Sequence, residues 1–329
     1  MAAPVEPVRV RILDVPADGP PVARDGLDAA APPDAGVLRW IDVQAQDAAT
    51  MEALAQRFHL HPLAVEDCLH FDQRPKVEEY GDHLFLVFHA LDCPTGDARE
   101  TKPRELHCFL GDRWLITVHD VPIVPLEAVL RRVTGDATLA KKGIDFVCYL
   151  AADAIVDSHF VHLDRISETL EEIEEAVLNR AARKDLEHIF QLKHTLVLMR
   201  KLLSPQRDVF AILAKRGAGA LVSERTALYF RDVYDHLVRI YESIDAARDL
   251  LGAALEAYLS MVAQRTNEIM KSLTLLSAVF LPLTFLTGFF GQNFVHLPYQ
   301  SAPLMFGALA ACVLIPLGML VWFKRKHWL

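Results

Sequence analysis

The segment SLTLLSAVFLPLTFLTGFF, residues 272–290, is the stretch that decides the fold, together with PLMFGALAACVLIPLGMLVWF at 303–323. From Ser272 to Phe323 the chain has 52 consecutive positions without Lys, Arg, Asp or Glu. A transmembrane helix needs about 20 mostly apolar residues, and these segments supply 19 and 21. Two transmembrane helices are therefore predicted, and a buried hairpin of a soluble protein is the weaker alternative.

Basic residues flank the two apolar segments on one side of the membrane. Arg265 and Lys271 precede the first segment and a basic tail, 324–329, follows the second, whereas the connecting loop 291–302 contains no Lys or Arg. By the positive-inside rule, both termini are expected in the cytoplasm and the loop outside the cytoplasmic membrane. The first residues lack a basic segment followed by an apolar run, so no cleavable signal peptide is expected.

The remainder of the 329 residues is expected to be cytosolic. The net charge of −9 argues against a nucleic-acid partner. Residues 1–36, rich in Pro, Ala, Asp and Gly, are interpreted as a variable, loosely packed lead-in. Residues 37–144 alternate β-branched runs with short helical segments and predict an α/β domain. Residues 145–271 predict a helical stalk, so the expected fold class is an α+β cytosolic domain, long stalk helices and two transmembrane helices.

The stalk is expected to contain several helices. A second one runs from Asp185 to Leu203, where Pro205 is expected to disturb it. Gly217 and Gly219 indicate a turn, and Ser223 is a candidate cap for a helix that continues to Phe290. A single helix of that length, about 100 Å at 1.5 Å per residue, would pass directly into the membrane.

One face of the first apolar segment is smaller and more polar than the rest. Its residues follow one another at spacings of three and four, which places them on one side of a helix: Asn267, Met270, Thr274, Ser277, Leu281, Thr284 and Gly288. Helix–helix packing through small and hydroxyl residues is one interpretation. The other is a water-filled lumen lined by this face from several copies, because one hairpin cannot enclose a pore.

These segments together resemble a known family. TNEIMKSLTLLSAVFLPLTFLTGFFGQNF (266–294), HPLAVEDCLHFDQRPKVEEYGDHLFLVFHAL (61–91), YFRDVYDHLVRI (229–240) and the tail KRKHWL are similar to the CorA (2-TM-GxN) family of divalent metal cation transporters. The resemblance implies a homopentameric funnel whose first span lines the pore and whose second span forms an outer ring. It implies a transporter and no enzyme; the chain also lacks P-loop, GxSxG and HExxH motifs.

The family's Gly-Met-Asn motif corresponds here to Gly291, Gln292 and Asn293. As a selectivity filter, its amide and backbone oxygens could hold hydrated Mg²⁺ through its waters, because Mg²⁺ dehydrates reluctantly. An ordinary helix C-cap with Gly and Asn is the alternative. Magnesium, with cobalt and nickel, is the expected cargo; the ZntB-type zinc transporters also keep only Gly-x-Asn, so zinc is the alternative cation.

The same resemblance assigns further roles. Asn267 and Thr284 match polar pore rings, and Met270 and Leu281 match apolar constrictions that gate by dewetting. Carboxylates expected at cytosolic metal positions are Asp92, Asp232 and Glu256, of which the first two match an inter-subunit site. Mg²⁺ bound there would hold the closed form, and its loss would open the pore. For Asp92 a solvated turn carboxylate is the alternative.

The predicted spans and the family resemblance together indicate the partners of the chain. They are further copies of the chain, membrane lipids and the transported and regulatory divalent cation, with no resident cofactor. A membrane-anchored sensor or scaffold that transports nothing is the rival from another class.

Overall fold

The computed structural model describes residues 8–44, 47–70, 72–215, 221–292 and 301–328. The chain divides into two compact units, Met1–Leu255 and Glu256–Leu329. The boundary falls inside one helix, which begins in the first unit and ends in the second.

The first unit contains a seven-stranded mixed sheet in the order β2-β1-β3-β7-β6-β5-β4. Its strands are β1 Arg9–Pro16, β2 Val22–Asp25, β3 Val37–Gln44, β4 Lys76–Glu79, β5 His83–Asp92, β6 Lys102–Gly111 and β7 Trp114–His119. β3 and β7 pair in parallel, and the other neighbours pair antiparallel. The helices are α1 Ala48–Phe58, α2 Pro62–Leu69, α3 Val124–Gly135, α4 Ala137–Ala140, α5 Ile144–Asn179, α6 Arg183–Leu213, α7 Glu224–Gly291 and α8 Ala302–Arg325.

Both faces of the sheet are covered. On one face Phe85 and Phe109 pack in a core with Met51 and Leu54 of α1. On the other face α5 and α6 lie against β5, and Phe88 stacks on Phe210 with ring centroids 5.2 Å apart. Because β5 is covered on both sides, its sequence HLFLVFHAL is almost continuously apolar, as expected for a fully buried strand.

The strand β1 lies inside the region interpreted as a loosely packed lead-in, so that interpretation is wrong for Arg9–Pro16. β1 pairs with β3 along its whole length, with Arg11 opposite Asp42. The charged side chains of β1 form buried ion pairs with β3. Arg11 Nη2 lies 2.6 Å from Asp42 Oδ2, and Asp14 Oδ1 lies 2.5 Å from Arg39 Nε. The α/β domain therefore begins before Val37, because its inner charges need partners from β1.

The carboxylate of Asp42 is the centre of one of these networks. It accepts hydrogen bonds from Thr117 Oγ1 at 2.6 Å and from the guanidinium of Arg11, and His119 Nε2 lies 3.2 Å away. Burial alone would raise its pKa, but these partners outweigh burial and lower it. Glu127 of α3 binds the other side of Arg11 at 2.5 Å, which ties α3 to the sheet.

The long helices agree closely with the sequence-based prediction. α5 spans Ile144–Asn179, and α7 contains 68 residues in one piece. Ser223 caps α7, since its Oγ accepts the N–H of Thr226 at 3.2 Å; Asp145 Oδ2 accepts from Ser223 Oγ at 2.7 Å. The prediction for Pro205 is wrong, because α6 continues through it to Leu213. The turn predicted at Gly217 and Gly219 lies outside the described residues.

The second unit presents two apolar helical segments. The segments within α7 and α8 have mean hydropathies of 2.0 and 2.4, and within the described residues none of either window is buried by the chain. A core hairpin of a soluble protein would be covered, so the alternative stated above is wrong. At the end of α8, Phe323 stacks on Trp328 beside Lys324 and Arg325, an aromatic and basic border typical of a membrane interface.

A buried histidine makes the first unit sensitive to acid. His159 of α5 is fully buried, and this burial lowers its pKa to about 3, with the nearby His162 and His89 rings adding to the shift. Its neutral form is therefore the form that the folded protein contains. Since the unfolded chain binds a proton near the ordinary pKa of 6.5, stability must fall as the pH drops below 6.5 and continue to fall toward 3.

We predict that His159→Met removes part of this acid sensitivity. Between pH 8 and pH 5 the wild type should lose about 2 kcal/mol more unfolding free energy than the variant, since each pH unit below 6.5 costs about 1.4 kcal/mol. Urea unfolding of the detergent-solubilised chain at several pH values measures the difference. The exposed His194→Met is the control, and equal pH slopes for wild type and His159→Met would contradict the assignment.

Candidate functional site

Two helices bring together a group of potential metal ligands. Asp153 lies on α5, and Asp232 and His236 lie one turn apart on α7. One ligand atom from each of these three residues lies within 4.8 Å of the ligand atoms of the other two residues. Two carboxylates and one imidazole form a donor set that suits a divalent cation.

Aromatic packing between α5 and α7 fixes the position of this group. Tyr149, one turn before Asp153, has its ring 5.0 Å from that of Tyr229 and 6.0 Å from that of Phe230. Phe160 contacts the ring of His236 edge-on at 5.7 Å. The metal-ligand group therefore lies on a rigid helix pair, between two aromatic contacts.

The group carries more negative than positive charge. His236 Nδ1 lies 3.2 Å from Asp157 Oδ1, and His236 Nε2 lies 3.8 Å from Asp232 Oδ2. Burial and the charge of Asp157 raise the pKa of Asp153, although a hydrogen bond with Tyr149 acts in the opposite direction. Burial and the same carboxylates also raise the pKa of Tyr149. A bound cation would relieve this repulsion.

The three carboxylates predicted at cytosolic metal positions lie in different surroundings in the structure. Asp232 belongs to the metal-ligand group, and its side chain is 64% exposed. Asp92 ends β5 and pairs with Arg104 at 3.0 Å, outside this group. Glu256 lies exposed on α7 at the start of the second unit. Sequence reasoning missed Asp153 and His236; the spacing Asp232-x-x-x-His236 on one helix face was the signal that could have found the histidine.

The stripe predicted on α7 faces away from α8. Leu286, Thr287 and Phe290 line a cavity of about 260 Å³ together with α8 residues such as Met305 and Cys312. The stripe lies on the opposite side of α7 at 100° per residue, and all of its members are exposed in the single chain: Asn267, Met270, Thr274, Ser277, Leu281, Thr284 and Gly288. This face is therefore open to contact with another polypeptide or with water.

Hydroxyl groups on the stripe are bonded to their own helix. Thr274 Oγ1 donates to the carbonyl of Met270 at 2.8 Å, and Thr284 Oγ1 donates to that of Phe280 at 2.9 Å. Each hydroxyl proton is thereby used, and the remaining lone pairs of the oxygen point outward. At these two positions the face consequently presents acceptor oxygens.

The predicted filter begins where α7 ends. Gly291 is the last residue of α7, and the N–H of Gln292 donates to the carbonyl of Phe289 at 3.3 Å, which closes the final turn. Asn293 and the loop up to residue 300 lie outside the described residues, so the geometry of the filter stays a prediction.

The fold and site define a class of protein. The chain has two uncovered apolar helices of spanning length and a large sheet-and-helix unit that carries a divalent-metal ligand group. This combination is that of a membrane protein with a large water-soluble domain.

Comparison with known proteins narrows this class. The family model described as "CorA-like Mg2+ transporter protein" matches residues 35–325, and the chain belongs to this family. The cobalt/magnesium transport protein CorA of Thermotoga maritima is 32% identical over 302 residues, 90% of this chain and 85% of that protein. The solved structure of the CorA magnesium transporter from Methanocaldococcus jannaschii has the same fold, with a TM-score of 0.82 over 100% of both chains at 23% identity. The resemblance in the sequence is confirmed.

A zinc-named relative is more distant. The zinc transport protein ZntB of an Enterobacter species is 25% identical over 277 residues, 82% of each chain. Similarity therefore favours the cobalt/magnesium branch over the zinc alternative.

We predict that Asp232→Asn weakens cation binding to the first unit. Loss of one of the ligand charges should raise the Mg²⁺ concentration for half-maximal protection from trypsin by about tenfold. Asp235→Asn, an exposed carboxyl on the same helix outside the metal-ligand group, is the matched control and should leave that concentration unchanged. Equal protection of wild type and Asp232→Asn would remove Asp232 from the site.

Proposed function

We propose that this chain forms a homopentameric, channel-like transporter that carries divalent cations, chiefly Mg²⁺ and also Co²⁺ and Ni²⁺, across the cytoplasmic membrane. The observation that carries the proposal is the exposed face of α7 opposite α8, which combines amide, hydroxyl and small side chains along a span. Several copies arranged around an axis would bring these faces together as a wet lumen. Both termini would lie in the cytoplasm, in keeping with the basic residues that flank the spans.

Transport through this lumen would follow from its chemistry. Asn267 and Thr284 would form polar rings, and Met270 and Leu281 apolar constrictions that dewet in the closed state. At the outer mouth, Gly291, Gln292 and Asn293 would present amide and carbonyl oxygens to the waters of a hydrated cation. Because neutral oxygens bind a hydrated ion weakly, the ion could enter and leave quickly, driven by its gradient and the membrane potential.

Gating would depend on the metal-ligand group of the cytosolic unit. A cation held by Asp153, Asp232 and His236 would have open positions, which Asp92 of a neighbouring subunit could fill after leaving Arg104. Such a bridge would stabilise the closed pentamer, and Glu256 would add a further acidic ring. Loss of the cation would restore repulsion and shift the population toward the open form.

Two alternatives have distinct signatures. A zinc transporter of the same architecture would take up Zn²⁺ and not Mg²⁺ in proteoliposomes; its support is the wider likeness to ZntB-type chains. A membrane-anchored sensor would show no flux of any cation from an assembled oligomer. The polar face of α7 speaks against the sensor, since an anchor needs no polar stripe.

We predict that Ser277→Phe blocks Mg²⁺ uptake into proteoliposomes. Ser277 belongs to the exposed stripe, and a phenyl ring at this position from every subunit would fill a lumen narrow enough for one hydrated ion. The expected flux is below about one tenth of the wild-type value, since an added apolar ring also favours dewetting. The measurement is Mg²⁺ entry reported by a trapped fluorescent indicator.

Leu276→Phe is the matched control for this prediction. Leu276 is exposed and lies away from the stripe on α7, so the same ring should contact lipid and leave the flux unchanged. Equal flux in wild type and Ser277→Phe, with both variants assembled, would contradict a lumen along this face. Parallel uptake assays with Zn²⁺ and Co²⁺ on the wild type determine which divalent cations are transported.

A further inference from the structure

A cavity in the first unit shares no residue with the metal-ligand group. It measures about 250 Å³ and is lined by residues of β5 and β6, by the start of α3 and by one face of α5. The side chains of Asp92 and Arg104 in its wall are 40% and 25% exposed, so small solutes can enter. Four α5 residues at spacings of three and four turn toward it: Ser158, Val161, His162 and Arg165.

The charged groups in the cavity wall favour an anion. Asp92 Oδ2 accepts from Arg104 Nε at 3.2 Å and from Nη2 at 3.0 Å, which leaves Nη1 of that guanidinium without a partner among the described residues. The half-buried Arg165 forms no ion pair or hydrogen bond with any residue that the structure describes. Two guanidinium groups against one carboxylate give the wall a net positive charge. Their forked donors match the oxygens of a phosphate group.

The start of α3 adds further donors to the same cavity. Ile123, Val124 and Pro125 line it, and the helix begins at Val124 without a side-chain cap. Glu127, the carboxylate of the first turn, is bound to Arg11. The backbone N–H groups at an uncapped helix N-terminus carry partial positive charge and suit an anionic oxygen.

His162 contributes an acceptor to the cavity wall. The residue is 7% exposed, and its Nε2 lies 2.9 Å from the carbonyl oxygen of Leu91. Since a carbonyl can only accept, Nε2 carries the ring proton and Nδ1 offers a lone pair. Burial lowers the pKa of His162, which maintains this neutral form. Nδ1 is buried without a hydrogen-bond partner among the described residues, so a ligand hydroxyl would satisfy a group that is costly to leave unpaired.

We propose that this cavity binds a phosphate group, either of inorganic phosphate or of a small phosphomonoester that carries a hydroxyl. Arg165 and the free edge of Arg104 bind the charged oxygens, and the N-terminus of α3 donates to another. His162 Nδ1 accepts the hydrogen bond of the ligand hydroxyl. Hydrogen phosphate has such a hydroxyl and sulfate has none, so the site prefers phosphate. Binding here depends neither on the metal-ligand group nor on transport through the membrane.

Isothermal titration calorimetry on the full-length protein in detergent, without divalent cations, tests the site. Sodium phosphate, glycerol 3-phosphate and sodium sulfate are compared at constant ionic strength. At least one of the two phosphates should bind the wild type about tenfold or more tightly than sulfate, since sulfate leaves Nδ1 unpaired. Tighter binding of inorganic phosphate identifies the free ion as the ligand, and tighter binding of glycerol 3-phosphate identifies a phosphomonoester.

Arg165→Gln should weaken phosphate binding by at least about tenfold, because it removes a charge-assisted hydrogen bond. Arg183→Gln is the matched control; the Arg183 side chain is 93% exposed on α6 and lies outside the cavity wall, so this variant should bind as the wild type does. Ser158→Phe fills the cavity and should abolish binding. Thermal unfolding shows whether each variant is folded, and phosphate should raise the Tm of the wild type.

His162→Leu tests the acceptor separately. Phosphate and sulfate are compared on the same variant, so the ratio of their affinities can be measured even if the fold is less stable, and it should fall close to one. Absence of phosphate binding by the wild type, equal affinity of the wild type for phosphate and sulfate, or unchanged binding by folded Arg165→Gln and Ser158→Phe would overturn the assignment.

Discussion

Two long apolar helical surfaces without any protein to cover them are the constraint on which the rest of the molecule depends. In the described part of the chain neither span is buried, so lipid or further copies must surround both. Inside lipid each backbone polar group needs a partner within its own helix, which explains why α7 continues unbroken to Gly291. It also explains why Thr274 and Thr284 bond their hydroxyls to their own helix. Thr287, which lies on the side of α8, bonds its hydroxyl to the carbonyl of Leu283 in the same way.

The water-soluble unit distributes its charges in two contrasting ways. In the sheet, buried charges are paired: Arg11 with Asp42, and Arg39 with Asp14. Such pairs stabilise one arrangement, because removing either partner would leave an uncompensated buried charge. Between α5 and α7, by contrast, three carboxylates surround one imidazole. The sheet is thus a fixed platform, whereas between α5 and α7 the carboxylates lie close together and a bound cation would reduce their repulsion.

The sequence was most informative where one physical signal acts alone. The charge-free stretch predicted both spans, and the absence of strong breakers after Ser223 predicted α7 to within one residue at each end. β1 was missed because its charges, as at Arg11, look solvated until their partners 31 and 116 residues away are known. Asp232 could be predicted from a family motif. Asp153 could not, because its place beside Asp232 depends on how α5 packs on α7.

The pairing of β1 with β3 limits how the molecule can be divided. A fragment that starts at Val37, where the α/β pattern becomes visible in the sequence, would retain Arg39 and Asp42 and lose Asp14 and Arg11. Arg39 would then lose its carboxylate partner, and Asp42 would keep only Thr117 and His119, at a cost on the order of a few kcal/mol. Autonomous folding of the water-soluble unit consequently requires strand β1, Arg9–Pro16, to be included.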